Sequence, residues 1–340
     1  MALFHSELER DGPGLLLRDI LSEKDQQVEA SIRVLRAADA DVLVLAGFDY
    51  DLNGVALNAF ADRIGGYPHR FSLRSNRGRR SGEDLNGDGK LGGPEDAVGH
   101  AEFQGQGALA LLSRLPINKG QTRDFTDMPW RSLPNHLALN DTPADHPLST
   151  TGHWDIPIRA RNGRNVHILA WHAAPPVFDG PEDRNGKRNH DESAFWLAYL
   201  DEKIGPPPPT HFVLAGVANL DPLDGDGRPE ALNKLLDSPL LQSKPPRSEG
   251  GIEAAARDGQ INNRHRGDPA HDTVDWPDMP GRPGNLRVDY VLPSATLNVT
   301  GTGVLWPLTK TSLGRDVMAA SRHRLVWIDI ELPERIGDGG

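Results

Sequence analysis

Leu169-Ala-Trp-His172-Ala-Ala-Pro-Pro176 closes an apolar run that begins at Val166. A short apolar run bounded by turn residues is typical of a buried strand. Ligand sites in α/β sheets lie where strands end, and a polar group at the edge of a dry core has a pKa that its surroundings can tune. The segment therefore predicts a buried strand of an α/β sheet with a functional histidine at its end.

The same form, an apolar run that ends in a polar cluster, recurs elsewhere in the chain. The further segments are Leu45-Ala-Gly-Phe-Asp49, Leu214-Ala-Gly-Val-Ala-Asn219-Leu-Asp221-Pro222, Arg287-Val-Asp289-Tyr290 and Ser321-Arg-His323-Arg-Leu325. Each polar residue taken alone is explained equally well as the cap of a turn. Their recurrence favours one shared site at the strand ends.

Strands and helices alternate irregularly along the chain. Apolar runs predict strands at 41–46, 108–113, 166–171, 212–215, 288–292, 304–306 and 325–330. Helical spacing predicts helices at 15–38, 52–64, 191–204 and 231–236. Asn189 is the predicted N-cap of the third helix, with Glu192 as its capping-box partner.

Because the late strands follow one another closely, the pattern favours a two-sheet, four-layer α/β sandwich with helices on the outside. We expect a single domain over residues 1–335. Two long loops, at 74–105 and 243–286, lie near the polar segments, and loops of this length usually carry function or disorder.

Composition excludes several classes of protein. The chain has 340 residues, a formal net charge of −11 and no cysteine, which excludes disulfide scaffolds, thiol nucleophiles and iron–sulfur sites. No run of about 18 apolar residues predicts a membrane span. Residues 1–21 lack the basic start and apolar centre of a signal peptide. We expect a cytoplasmic protein, or a secreted or periplasmic one if a signal peptide has been removed.

The polar strand ends resemble the endonuclease/exonuclease/phosphatase superfamily, whose fold is deoxyribonuclease-like. The resemblance covers nearly the whole chain, and 2–8 resembles the family's first strand, with His5 where an Asn is common. It implies two catalytic histidines, His172 and His323, an Asn from a Gly-Asp-x-Asn motif, Asn219, and an orienting aspartate, Asp289. The implied activity is metal-dependent phosphoester hydrolysis, with Mg²⁺ or Mn²⁺ as the catalytic ion.

Three carboxylates of the family pattern are missing from this sequence. Gly47 stands where a Glu is expected, Val217 replaces the Asp of Gly-Asp-x-Asn, and Arg322 replaces the Asp before the last histidine. An isopropyl group cannot bind a metal or accept a proton. Loss of such a group typically costs about 10²–10⁴-fold in rate.

Two hypotheses follow from these departures. In the first, the protein is a phosphoesterase with a rearranged site, in which Asp49, Asp51 or Asp221 supplies metal ligands and Arg322 and His153 bind phosphate. In the second, it is a pseudoenzyme that retains the fold to bind a ligand or partner. Convergent carboxylates would favour the enzyme, whereas an apolar floor at Val217 with Arg322 in the metal position would favour the pseudoenzyme.

A calcium loop is predicted separately from the active site. Residues 84–95 fit the pattern D-x-[DN]-x-[DN]-G-x5-E, in which oxygen ligands converge on one hard ion around a sharp glycine turn. The predicted ligands are Asp84, Asn86, Asp88, the backbone of Lys90, and Glu95. The flanking residues do not have helical patterns, so we expect a lone structural Ca²⁺ loop; the alternative is an Asp/Gly turn without an ion.

Charge guides the choice of substrate. Duplex DNA binding requires a basic face, and this chain is acidic overall. The dense basic patch of the early chain is the cluster Arg74, Arg77, Arg79 and Arg80. We therefore expect a small phosphoester or a lipid headgroup as the ligand in preference to nucleic acid.

Overall fold

The apolar runs form the strands of two stacked sheets. The structure, a computed structural model, describes residues 1–209 and 211–332. Its strands are β1 Ala2–Leu8, β2 Val42–Phe48, β3 His69–Phe71, β4 Ala108–Ser113, β5 Arg123–Asp124, β6 His153–Arg159, β7 Asn165–His172, β8 Phe212–Val217, β9 Val274–Asp275, β10 Asn285–Leu286, β11 Asp289–Pro293, β12 Asn298–Leu305 and β13 Leu325–Glu331.

The two large sheets are both mixed. The first has the order β12-β13-β1-β2-β4-β3, and the second has the order β11-β8-β7-β6-β5. In the first, β1 runs parallel to β2 and antiparallel to β13, so the two ends of the described chain pair at the centre of that sheet. In the second, β7 and β8 are parallel. A small ribbon of β9 and β10 forms a separate sheet and is joined by a β-bridge at Val274 to His323.

Helices cover the outer faces of both sheets. They are α1 Leu15–Ser22, α2 Gln26–Ala38, α3 Val55–Ile64, α4 Arg184–Leu200, α5 Glu230–Leu236, α6 Glu249–Asp258 and α7 Ser312–Ala320. The group α1, α2, α3 and α7 packs by the first sheet, and α4 and α5 pack together on the second. The inner faces of the sheets share one apolar core. This is the predicted four-layer α/β sandwich.

Strand alternation decides which side chains reach the space between the sheets. On β7, Ile168 and Ala170 belong to the core between the sheets, whereas Leu169 and Trp171 pack under α4. Because successive side chains point to opposite faces, His172 shares the inner face with Ile168 and Ala170. The predicted functional histidine therefore points between the sheets.

The predicted helix over 15–38 is two helices in the structure. Glu23 adopts a left-handed conformation with φ 55° and ends α1, and the side chain of Asp25 then caps α2 by accepting from the N–H of Val28 at 2.9 Å. The predicted capping box is wrong. Helix α4 begins at Arg184, and Asn189 and Glu192 are buried in its interior.

The second predicted loop contains regular structure. Residues 243–286 include helix α6 and the short strands β9 and β10, and helix α7 was not predicted. The loop at 74–105 has one short 3₁₀ turn, Pro94–Asp96, among its described elements. Residues 333–335 of the predicted domain lie outside the described residues. Among the helices that the structure describes, none combines the length and apolarity needed to cross a bilayer.

Candidate active site

The site lies between the sheets, where the central strands end. His172, Val217 and Asp289 are register partners on the neighbouring strands β7, β8 and β11. His5 on β1 and His323, just before β13, approach them from the other sheet. The sequence-predicted residues His172, Asp289 and His323 thus come together although more than 100 residues separate some of them along the chain.

Three buried imidazoles form the centre of the site. The ring of His5 lies 4.9 Å from that of His172 and 4.2 Å from that of His323, measured between ring centroids. The Nδ1 atoms of His5 and His172 have no hydrogen-bond partner among the described residues. His5 was noted in the sequence only as a departure from the family's Asn, and its central position was not predicted.

Burial lowers the pKa of His5 well below its usual value, and the charges of His323, His172 and Arg77 add to the effect. Burial also lowers the pKa of His172 well below the usual value, with Arg77 and His323 as further causes. Both imidazoles are therefore neutral at pH 7. A neutral imidazole is the form that accepts a proton or binds a metal.

His323 forms a buried pair with Asp289. Its Nδ1 lies 2.9 Å and 3.2 Å from the two carboxylate oxygens of Asp289. Thr273 supports the pair, because its hydroxyl accepts from the N–H of Asp289 at 3.0 Å. Trp276 packs edge-on against the His323 ring, with centroids 5.7 Å apart. With Nδ1 held by the carboxylate, the Nε2 atom of His323 is left for chemistry.

Glu7, which sequence reasoning missed, is the carboxylate that faces these histidines. Strand β1 contains an irregularity between His5 and Leu8, and Glu7 has φ 50°. A bulge of this kind redirects a side chain, and a non-glycine residue with positive φ is strained. Glu7 accepts from Arg322 through the backbone N–H at 2.7 Å and through Nε at 2.8 Å. Arg322 therefore binds Glu7, with its side chain 60% exposed.

Gly47 makes room for this arrangement. Its φ is 62°, and a Cβ atom there would lie 2.9 Å from Cε1 of His5 and 3.1 Å from the backbone nitrogen of Glu7. Any side chain at this position would collide with the imidazole. Gly47 and His5 are therefore complementary, and the glycine that replaces the expected Glu admits a histidine from the next strand.

Asn219 shapes the site through the backbone. It has φ 53°, and its amide donates to the carbonyl of Ala173 at 2.7 Å, which ties β8's end to the residue after His172. Asn189 of α4 makes a second tie, donating to the carbonyls of Ala174 and Ala218 at 2.6 Å and 2.7 Å. Both amides hold the ends of β7 and β8 together, so these side chains position the strand ends that carry the site.

The three aspartates expected to replace the missing ligands bind backbone N–H groups instead. Asp49 accepts from Arg10 and Gly107, each at 3.0 Å. Asp51 caps α3, accepting from Val55 and Ala56 at 2.7 Å. Asp221 accepts from Leu223 and Arg287 at 2.8 Å. Each carboxylate holds a turn, and the structure does not group any of them with the histidines.

His153 lies on the other side of the second sheet. It is the register partner of Trp171, which faces α4. Its Nδ1 contacts the hydroxyl of Ser149 at 2.9 Å and its Nε2 contacts the carbonyl of Glu192 at 3.0 Å. Both nitrogens are thus satisfied in the protein interior, so the predicted phosphate-binding role for His153 is corrected to a structural one.

This position of His153 gives a stability prediction. Burial lowers its pKa to about 4 from about 6.5. Because the unfolded state takes up the proton first, the contribution of His153 is complete above pH 6.5 and is lost as pH falls towards 4. We expect the stability advantage of the wild type over His153→Gln to shrink by about 3 kcal/mol between pH 7 and pH 4 in denaturant titrations.

Burial also raises the pKa of neighbouring Glu192 to about 7, so this residue makes the free energy of unfolding fall as pH rises, the opposite of the effect of His153. Because Glu192 is present in both proteins, the difference between wild type and variant isolates the histidine. A difference between wild type and variant that does not change with pH would contradict the assignment.

The predicted calcium loop has the expected turn geometry at its start. Asp84 accepts from the N–H groups of Gly87 and Gly89 at 2.8 Å and 2.9 Å. At the other end, the buried Asp96 accepts from Leu85 and Gly92, whereas Glu95 is half-exposed. The loop is thus closed by Asp96 and not by the predicted Glu95. Calcium binding at 84–95 stays a prediction.

Two face-to-face mixed sheets with helices outside enclose the site, and a histidine–aspartate pair lies at the strand ends. The sequence profile of the Endonuclease/Exonuclease/phosphatase family matches residues 20–323, and the chain belongs to this family. Family members are typically dependent on a divalent metal. No curated protein matches the sequence.

Solved structures share the fold at low sequence identity. An endonuclease/exonuclease/phosphatase from Beutenbergia cavernae is 17% identical with a TM-score of 0.57, covering 98% of this chain and 71% of its own. A family protein from Leptotrichia buccalis is 13% identical with a TM-score of 0.54, and the match covers 97% of this chain and 98% of that protein. A mannosyl-6-phosphatase from Bacteroides thetaiotaomicron is 13% identical with a TM-score of 0.51, covering 97% and 98%.

The described residues do not fit a Mg²⁺ site of carboxylates. A hard ion requires converging oxygen ligands, but Gly47 and Val217 supply none. Asp289 is engaged by His323, and Glu7 is engaged by Arg322. Val217 is fully buried and forms an apolar floor between His172 and Asp289.

Proposed function

We propose that the chain is a phosphoester hydrolase with a rearranged active site that acts on a small phosphate ester. The observation that carries this proposal is the buried His323–Asp289 pair, which leaves the second imidazole nitrogen of His323 free. The guanidinium of Arg322, bound to Glu7, lies near enough to contribute to the lowered pKa of His5. An imidazole oriented by a carboxylate is a general base, and guanidinium groups bind phosphate.

In this proposal His323 activates a water molecule. Its Nδ1–H donates to Asp289, and Nε2 takes a proton from water as the water oxygen bonds to phosphorus. The ester P–O bond breaks, and the leaving oxygen accepts a hydrogen bond from His172 and then a proton from solvent. Asp289 stabilises the imidazolium that forms, which is worth about 10²–10⁴-fold for a positioned base.

Arginine side chains supply the positive charge that phosphoryl oxygens require. Arg77 lies near enough to His5 and His172 to lower the pKa of both; its guanidinium pairs with Glu9 at 3.2 Å, and its Nε finds no acceptor within the described part of the chain. Arg322 is exposed beyond its contact with Glu7. Together they favour an anionic ligand at the mouth of the site.

The net charge of −11 supports a small phosphoester or a lipid headgroup as substrate, because duplex DNA requires an extended basic surface. The phosphatase of similar fold named above supports sugar phosphates as a first probe. An ionic-strength series would test the exclusion of DNA. Tight DNA binding that weakens steeply with salt would contradict it.

A second candidate function is ligand binding without turnover. It is favoured by the apolar floor at Val217 and by the ion pair of Glu7 with Arg322, which neutralises the carboxylate facing the histidines. In this case the site would bind a phosphate group through its arginines and release it unchanged.

Hydrolysis assays separate the two functions. We expect the wild type to hydrolyse bis-p-nitrophenyl phosphate or p-nitrophenyl phosphate in at least one of a chelator, Mg²⁺, Mn²⁺, Ca²⁺ or Zn²⁺. The Asp289→Asn variant is expected to lose most of that activity. No turnover under any of these conditions, combined with a gain of activity in Val217→Asp, would overturn the hydrolase proposal in favour of a binding protein.

A further inference from the structure

We propose that His5, Glu7 and His323 bind one late first-row divalent cation, of the class of Zn²⁺, Co²⁺ and Ni²⁺. Each offers one ligand atom, and these atoms all lie within 4.8 Å of one another. In the part of the chain that the structure describes, no other group of at least three histidine or acidic side chains converges in this way. The site shares His323 with the proposed function, and because Asp289 holds Nδ1, an ion bound at Nε2 would occupy the nitrogen that takes the proton from water. Metal binding is therefore proposed for the chain without substrate, is measured without turnover, and excludes His323 as the base while the ion is bound.

The separation of the ligand atoms suits a single ion. At tetrahedral angles, bonds of about 2.0–2.2 Å place the ligand atoms of one ion about 3.3–3.6 Å apart, so these side chains have to close by at most about 1.5 Å. Glu7 lies in a bulge and His5 is held against Gly47.

Asp289 gives His323 the environment of a metal ligand. A metal-bound histidine almost always donates its second N–H to a carboxylate or carbonyl, which fixes the ring and strengthens the ligand. Nδ1 of His323 has this partner in Asp289, at 2.9 Å. The Nδ1 atom of His5 is buried without a partner in the described chain, so this ring also has an unused nitrogen.

Ligand type determines the selectivity of the site. Two imidazoles and one carboxylate suit zinc and its neighbours in the first row, whereas Mg²⁺ and Ca²⁺ prefer oxygen ligands. The change from Glu to Gly at position 47 removes an expected oxygen ligand and admits an imidazole, that of His5. The replacements therefore shift the site from hard cations towards softer ones.

Arg322 competes with the cation for Glu7. Its guanidinium and backbone N–H donate to both oxygens of that carboxylate. The Arg322 side chain is 60% exposed and can turn into solvent when an ion binds. We therefore expect removal of this side chain to tighten metal binding, the opposite of what removal of a ligand does.

Direct binding measurements test the proposal. The full chain, treated with a chelator and dialysed, is titrated with Zn²⁺, Co²⁺, Ni²⁺, Mg²⁺ and Ca²⁺ by calorimetry, and Co²⁺ is also followed by its visible absorption. We expect one Zn²⁺ per chain, bound at least 100-fold more tightly than Mg²⁺. Paramagnetic Co²⁺ or Ni²⁺ should quench the fluorescence of Trp276, which contacts His323, and Trp276→Phe should remove that change.

Variants identify the ligands. His5→Asn and Glu7→Gln should each weaken Zn²⁺ binding at least 10-fold, and Asp289→Asn should weaken it about 10–100-fold. Arg322→Ala should tighten it several-fold. The matched control is His100→Asn, since His100 and Glu95 form an exposed pair 4.0 Å apart that could bind zinc adventitiously. This control should leave the affinity unchanged.

Equal Zn²⁺ affinity in His5→Asn, Glu7→Gln and wild type would overturn the proposal, as would Mg²⁺ binding as tight as Zn²⁺ binding. Circular dichroism of each variant shows whether a loss of binding reflects unfolding, and the gain expected for Arg322→Ala cannot arise from unfolding. Zn²⁺ binding without hydrolysis of any phosphoester would leave the metal site established and the proposed function refuted. Hydrolysis in chelator with no Zn²⁺ binding would support the proposed function and refute the metal site.

Discussion

We expect replacement of His323 by Asn to lower kcat for phosphoester hydrolysis by about 10²–10⁴-fold, the usual contribution of a positioned general base. The expected loss is large because the imidazole is buried and oriented by Asp289, and the Asn side chain has no group of comparable basicity. Stopped-time assays with p-nitrophenyl phosphate at saturating substrate measure it. Asn preserves the polarity and the approximate volume at Nδ1, so KM should change less than kcat.

His100→Asn is the matched control, because His100 is 69% exposed and remote from Asp289 in the hydrogen-bond network. The Asp289→Asn variant should fall between the control and His323→Asn and should also change the pH dependence of kcat, since the charge that orients the base is removed. If His323→Asn retained more than about a tenth of wild-type kcat while folded, another group would be the base.

Replacement of Arg188 by Met lowers the free energy of unfolding by about 3–5 kcal/mol. Arg188 is buried in α4 and donates to the carbonyls of Leu148, Val98, Pro147 and Ser149. The variant leaves these buried oxygens without their donor, and it detaches the 74–105 loop from the helix. Urea denaturation of wild type and variant measures the loss, provided that the two proteins have the same m-value.

Arg184→Met, one turn earlier on the same helix, is the control. Arg184 pairs at 3.1 Å with Asp141, whose side chain is 71% exposed, and such surface pairs contribute about 0–1 kcal/mol. Equal destabilisation by the two variants would show that the carbonyl contacts of Arg188 contribute little to stability.

Much of the sandwich could be predicted from the sequence because its strands are apolar runs with abrupt ends. The run before His172 and the run before Val217 are buried on both faces, and such strands are recognised without their neighbours. Helix α4 shows the limit of local patterns. Asn189 and Glu192 have capping-box spacing, but the first is used to hold strand ends and the second accepts from Thr150 and Ala174.

The candidate site was predicted in part. His172 ends a strand of recognisable pattern, Asp289 begins one and His323 precedes one, so their meeting follows from the fold. Glu7 could not be found in this way, because its direction depends on a bulge and on a partner, Arg322, from the far end of the chain. One signal was available in the sequence. Arg322 stands where the family pattern has an Asp, and an acidic residue, Glu7, stands two residues after His5.

The pairing of β1 with β13 has a consequence for the order of folding. His5 and Glu7 come from the first residues of the chain, whereas Arg322 and His323 come from positions about 315 residues later. Contacts of such separation form last, since the chain must close its longest loop to make them. A ribosome-bound chain that ends before Arg322 would thus carry Glu7 and Asp289 without their partners and two of the three imidazoles, so the site cannot be complete before Arg322 and His323 have been made.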